Sequence, residues 1–272
     1  MRQIDPTAVI GPDVQLPDEI EIGPGCRLDG PIRFGPGTVL MGYNFLRGPL
    51  TVGQGNRFYP FACIGFEPQD YKFDPSRAGA GTVIGNENIF REHVTIHRAT
   101  SESVPTTIGH SNMFMVNTHA GHDARVGDRC ILANNASIGG HGVIYDQVNL
   151  GGSGGVAQKV AVGRLAFVSG TIAATHHIPP FMMSRTIRTV GGVNIVGLRR
   201  SGMSREEIDQ AKWIFRVLYL QSNARPAMLE ALRSRADRSA VVAETLDFLT
   251  RHPGPIAELE PGKESRAMRE GG

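Results

Sequence analysis

Large apolar residues recur along this chain with a period of six. Stepping from Ile4 gives Ile10, Leu16, Ile22, Leu28, Phe34, Leu40, Leu46, Val52, Phe58 and Ile64, all apolar. With 40% of the chain hydrophobic, such a run arises by chance on the order of once in ten thousand trials. The register slips by two across residues 66–83 and resumes at Ile84, Phe90 and Ile96. It misses at Glu102, then continues from Ile108 through Phe114, Ala120, Val126, Leu132, Ile138, Ile144, Leu150, Val156 and Val162 to Val168. Glycine often follows, as in Ile22-Gly23, Ile84-Gly85, Ile108-Gly109 and Val162-Gly163. A six-residue unit suits a short strand plus a turn, with the aliphatic side chain inward and a glycine or small polar residue at the corner. Three units close a triangular coil, and stacked coils bury one continuous column. The pattern predicts an all-β solenoid.

The two breaks read as loops. Residues 66–83 carry Pro, Gly and charges, and residues 98–107 are polar around Pro105. Excursions at the corners of a solenoid are tolerated and often carry function. The repeat fades near residue 175, and Pro179-Pro180 punctuates the chain. Ser204-Arg205-Glu206-Glu207 then reads as a capping box opening a helix. Ile208, Ala211, Ile214, Phe215, Leu218 and Leu220 follow it at near-helical spacing. Pro226 opens a second helix with Leu229 and Leu232, and a third runs from about Ser239 to Thr250. The expected organisation is a solenoid over 1–190 and a small helical domain over 191–272, ending in a mobile tail.

Composition narrows the function classes. A formal charge of +2 in 272 residues gives no field that argues for nucleic acid. Basic residues do outnumber acids between Lys159 and Arg238, a bias suited to an acidic partner. Cys26, Cys63 and Cys130 are isolated, which offers no disulfide or zinc framework and suits a reduced compartment. No basic-then-apolar leader and no long apolar run is present, so the expectation is a cytoplasmic protein without a membrane span.

One histidine cluster carries candidate chemistry: Asn117-Thr118-His119-Ala120-Gly121-His122-Asp123. Ala120 is an inward position, so His119 and His122 fall on the outside of one coil. Gly139-Gly140-His141 follows about one coil later, which places His141 near the same corner. A stack of outer histidines is not needed for packing.

The segment NTHAGHDARVGDRCILANNASIGGH (117–141) resembles the signature region of bacterial UDP-N-acetylglucosamine O-acyltransferases, the first enzymes of lipid A synthesis. IGFEPQDYKF (64–73), REHVTIHRAT (91–100) and GGVNIVGLRRSGMSREEI (191–208) resemble that family too. The resemblance covers nearly the whole chain. It implies a left-handed parallel β-helix of hexapeptide repeats, against the usual right-handed crossover. It also implies transfer of a (3-hydroxy)acyl group from acyl carrier protein to the 3-hydroxyl of a UDP-sugar, a homotrimer with sites between subunits, and no cofactor.

By the same resemblance His122 is the general base, Asp123 orients its ring, and the Gly140 amide receives the oxyanion. Asp70 and Lys72 match positions facing sugar and phosphate, and His119, His141 and Gln158 match other pocket residues. Asn194, Arg199 and Arg200 match the segment that grips phosphates, work that suits an arginine fork. Gly170 falls near the family's acyl-chain ruler, where a glycine leaves the groove open for a long chain. Two departures touch substrate choice: Ala157 stands where the family usually has histidine, and Val196 where it usually has glutamate.

Other readings of the same residues are open. One keeps the mechanism but acylates a 3-amino UDP-sugar. Another is a γ-type carbonic anhydrase, with His97, His119 and His122 holding zinc. A third is a scaffold without catalysis.

Overall fold

A computed structural model describes residues 1–221 and 224–261 of the chain. The mobile tail expected at the C-terminus lies mostly outside the described residues. The first part is the expected left-handed parallel β-helix, whose strands assemble into three flat sheets of 11, 9 and 8 strands. Each strand pairs with the equivalent strand of the next coil, as Ser137 does with His119 below and Gly155 above. One regular coil is therefore 18 residues, three hexapeptides.

The six-residue periodicity is the buried column. On the first face Ile22, Leu40, Phe58, Phe90, Phe114, Leu132, Leu150 and Val168 stack inward and are almost wholly excluded from solvent. Phe58 and Phe90 stack ring on ring at 4.8 Å, and Phe114 tilts against Phe90 at 5.2 Å. The first hexapeptides differ. Ile4 is 39% exposed against 1% for Ile22, because no coil lies beneath it.

A second inward row lies two residues before each aliphatic one and takes small or polar side chains, among them Cys26, Thr38, Asn56, Asn88, Asn112 and Cys130. Its asparagines form a ladder. Asn88 Nδ2 donates to Asn56 Oδ1 at 2.9 Å, Asn112 Nδ2 to Asn88 Oδ1 at 3.0 Å, and the Cys130 amide to Asn112 Oδ1 at 2.7 Å. Buried amides survive in a core when they are bonded in this way. A reading that steps only through large apolar residues does not see this row.

The corners repeat as well. Asn117, Asp123, Arg129, Asn135 and His141, six apart, have φ between 54° and 62°. Left-handed backbone costs a non-glycine residue roughly 1–2 kcal/mol, and here the hydrogen-bonded coils on both sides impose it.

Four helices follow: α1 (Ile195–Arg200), α2 (Arg205–Tyr219), α3 (Arg225–Ala236) and α4 (Ala240–Arg251). The capping box at α2 is formed, with Ser204 Oγ accepting from the Glu207 amide and Glu207 accepting from the Ser204 amide. Pro226 lies in the first turn of α3. Helix α1, which the sequence pattern did not suggest, is capped by Asn194. α2 buries Ile208, Ala211, Ile214, Val217 and Leu218.

The helices are tied to the solenoid. Arg164 grips Glu244 with bonds of 2.8–3.0 Å, and Thr189–Val190 pairs with Glu258–Leu259. Among the described residues no helix is long and apolar enough to cross a membrane.

Candidate active site

His122 sits at the corner between the second face, which carries His119–Ala120, and the third, which carries Arg125–Val126. The 18-residue repeat puts Gly140 and Gln158 at the same corner position on the next coils. Asp123, His141 and Lys159 occupy the position after it. The backbone locks this stacking: the His141 amide donates to the His122 carbonyl at 2.9 Å, and Lys159 to Gly140 at 3.0 Å. The rings of His122 and His141 meet edge to face with centroids 5.2 Å apart. The one-coil offset expected from the sequence places His141 as observed.

His122 is only 8% exposed. Its Nδ1 lies 2.7 Å from Asp123 Oδ2. The carboxylate also accepts from the Thr100 hydroxyl at 2.8 Å, the Thr100 amide at 3.1 Å and the Ser101 amide at 3.2 Å. Burial pushes the Asp123 carboxyl up, but the bonds from His122, Thr100 and Ser101 outweigh it and hold the group below the ordinary aspartate value. An ionised Asp123 only accepts, so His122 Nδ1 carries a proton, and in the neutral ring Nε2 is the accepting nitrogen. Nε2 faces Gly140: a side-chain carbon on Gly140 would lie 2.6 Å from it. A carbon on Gly121 would come within 2.8 Å of the Gly140 nitrogen. Both glycines keep this approach open, and the Gly140 amide has no hydrogen-bond partner among the described residues.

A cleft of 410 Å³ beside the dyad is lined by Asp70, Lys72, Phe73, Arg77, Thr100, His122, His141, Gln158 and Lys159. An adjoining hollow of 280 Å³ brings His97, His119 and Gly140 to the other side of the His122 ring. Burial pushes His119 down to about 4, which keeps it neutral near pH 7, and lowers His97 too. His119 Nδ1 is 2.8 Å from the Thr95 hydroxyl, and His97 Nδ1 bonds the Glu67 carbonyl. The loop over 66–83 thus delivers Asp70 and Lys72 to the histidine corner, where Asp70 accepts from the Lys72 amide.

Known proteins resemble this chain over most of its length. The chain is 38% identical to the acyl-(acyl-carrier-protein)–UDP-N-acetylglucosamine O-acyltransferase of Halorhodospira halophila, over 92% of its own length and 96% of that protein's. It is 41% identical to the Anaeromyxobacter protein of the same name over 79% and 84% of the two chains. The chain belongs to this acyltransferase family. Residues 178–256 match the model of the family's second domain, described as UDP N-acetylglucosamine O-acyltransferase, domain 2. The solved UDP-N-acetylglucosamine acyltransferase of Francisella novicida superimposes with a TM-score of 0.91 at 29% identity, covering 97% and 96% of the two chains. The Moraxella catarrhalis enzyme gives 0.88 at 30% identity, covering 94% and 99%.

Not all residues singled out in the sequence meet at this corner. Asn194 and Arg200 line a separate groove of 710 Å³ on the first face, with Ile131, Phe167, Met183, Arg185 and Val196. The Asn194 amide is already engaged, accepting from Gly197 and donating to the Leu165 carbonyl at 2.9 Å. Arg199 points to a different cleft with Arg205 and Lys212. Gly170 lies at the corner between the first and second faces, away from His122. Ala157 packs against the core, whereas Val196 stands exposed in the groove.

Among the described residues the one grouping able to hold a metal is His122, Asp123 and His141, whose ligand atoms lie within 4.8 Å of one another. That is not the set His97, His119 and His122 on which the carbonic anhydrase reading rests. Sequence reading missed Thr100 and Ser101, which hold Asp123. Their only sign was a hydroxyl pair in the polar loop 98–107.

Proposed function

We propose that this enzyme transfers a fatty acyl group from acyl carrier protein to the 3-hydroxyl of UDP-N-acetylglucosamine, with His122 as general base. The observation that carries the reading is the His122–Asp123 dyad, with Nε2 close to Gly140, whose amide has no partner among the described residues. Nε2 takes the proton of the sugar hydroxyl as that oxygen attacks the thioester carbonyl. The carbonyl oxygen gains charge and accepts from the Gly140 N–H. Collapse breaks the C–S bond, and the imidazolium returns its proton to the departing thiolate. The carboxylate of Asp123 stabilises the imidazolium in between.

Asp70 and Lys72 face the acceptor sugar and its phosphate, with His119, His141 and Gln158 around it. Asn194, Arg199 and Arg200 lie on other surfaces of the same chain. A homotrimer that sets one chain's corner against its neighbour's first face unites the two groups, with the acyl chain running past Gly170. Arginines such as Arg185, Arg188 and Arg199 suit an acidic carrier protein, whereas Arg164 is engaged by Glu244. The reaction belongs to the cytoplasm, at the first step of lipid A synthesis.

The test incubates the protein with UDP-N-acetylglucosamine and a panel of acyl carrier protein thioesters, with products read by mass spectrometry. His122→Ala is expected to lower turnover on the order of 10³-fold while leaving the fold intact. Acylation of a 3-amino UDP-sugar alone would move the acceptor assignment. Silence with both acceptors would end the proposal.

A further inference from the structure

Arg98 is an arginine buried to 3% exposure. Its fork is turned toward the loop over 66–83. Nη2 donates to the Arg77 carbonyl at 3.0 Å and to the Pro75 carbonyl at 3.4 Å, and Nη1 reaches the Gly65 carbonyl at 3.5 Å. Glu67 Oε1 lies 3.4 Å from Nη1, and the guanidinium carbon lies 5.7 Å from the ring centroid of Phe73. Burying a cation costs several kcal/mol unless partners compensate it. An aliphatic residue would fill the same space without that cost, but it would not tie down two loop carbonyls. The backbone beside Arg98 makes the other half of the connection. Two and three residues on, Thr100 and Ser101 hold the Asp123 carboxylate, and His97 bonds the Glu67 carbonyl.

We infer that Arg98 is a positioning residue that sets the distance between the acceptor-binding loop and the His122–Asp123 dyad. One short segment, His97–Ser101, grips the loop with Arg98 and the dyad with Thr100, so both are referred to the same rigid edge. Lysine keeps the charge but has no fork to span Gly65, Pro75 and Arg77. The loop then moves relative to the corner while the corner itself stays whole. The inference rests on the acyltransfer reading, in which Asp70 and Lys72 meet the acceptor.

The experiment measures kcat and both KM values for the wild type, Arg98→Lys and Glu67→Gln, together with limited tryptic cleavage after Lys72. In Arg98→Lys the acceptor KM is expected to rise on the order of tenfold, while the acyl-donor KM stays within twofold of wild type. Cleavage after Lys72 is expected to quicken, and Glu67→Gln to show a smaller change in the same direction. Unchanged acceptor KM and unchanged cleavage in Arg98→Lys would overturn the inference, as would an equal loss on both substrates. If Arg98→Lys fails to fold, Glu67→Gln decides by the same two readouts. A wild type inactive on UDP-N-acetylglucosamine would instead overturn the acyltransfer reading, and the cleavage rates would still judge the tie between Arg98 and the loop.

Discussion

The regular coils from Ile108 to Ala174 and the interrupted stretch from Phe66 to Thr107 build the candidate site by different means. In the regular coils a side chain's place follows from its number. His122, Gly140 and Gln158 share a corner because 18 residues make one coil, and backbone bonds such as His141 to His122 enforce it. In the loops of the interrupted stretch, 66–83 and 98–107, no repeat helps. Asp70 and Lys72 reach the corner because specific bonds hold the loop, from Arg98 to its carbonyls and from Arg77 to Glu102. The proposed reaction draws on both: a base placed by periodicity and an acceptor placed by individual contacts. Errors in the first kind of placement should cost turnover, and errors in the second mainly substrate binding.

The largest effect that sharpens this contrast comes from Gly140→Ala. The new methyl would meet His122 Nε2 at 2.6 Å. Turnover is expected to fall on the order of 10²–10³-fold with little change in melting temperature. A kcat near wild type would show that Gly140 does not face the reacting atoms.

Next comes Thr100→Val, which removes the hydroxyl bond to Asp123 and leaves the backbone bonds in place. Losing one bond to a charged group predicts about a tenfold drop in kcat. Thr100→Ser should recover most of it. Equal kcat for the valine variant and wild type would remove Thr100 from the dyad's support.

The smallest effect is on stability against pH. His119, on the regular corner, and His177, at the junction with the helices, both sit at about 4 in the folded chain because burial disfavours the cation. Unfolded histidine titrates near 6.5. The unfolded chain therefore takes up protons first, so the stability these two histidines contribute should decline as pH falls from 6.5 to 4 and change little below that. Urea midpoints at pH 7, 5.5 and 4.5 measure it. His177→Gln should flatten part of the slope, and a midpoint independent of pH would contradict both assignments.

Much of the fold was legible because the solenoid repeats one decision. Each large apolar residue from Ile22 to Val168 had to find the column, and a period of six leaves one way to do so. The candidate corner was legible for the same reason, since register alone sets Gly140 above His122 and His141 above Asp123. The inner asparagine ladder escaped because Asn56, Asn88 and Asn112 look like turn residues until their buried bonds are seen. Helix α1 escaped because six residues carry too little periodicity.

Sequence by itself therefore determined the coil, its count of faces and the alignment of His122, Gly140 and Gln158, because those depend on spacing along one strand of chain. Tertiary structure alone decided that Thr100 and Ser101 fix Asp123, that Asn194 and Arg200 lie on another face, and that Arg98 stands beneath the loop. Those contacts join residues whose separation in sequence is unrelated to any repeat. Only the closing of the chain on itself brings their charges and donors within bonding distance.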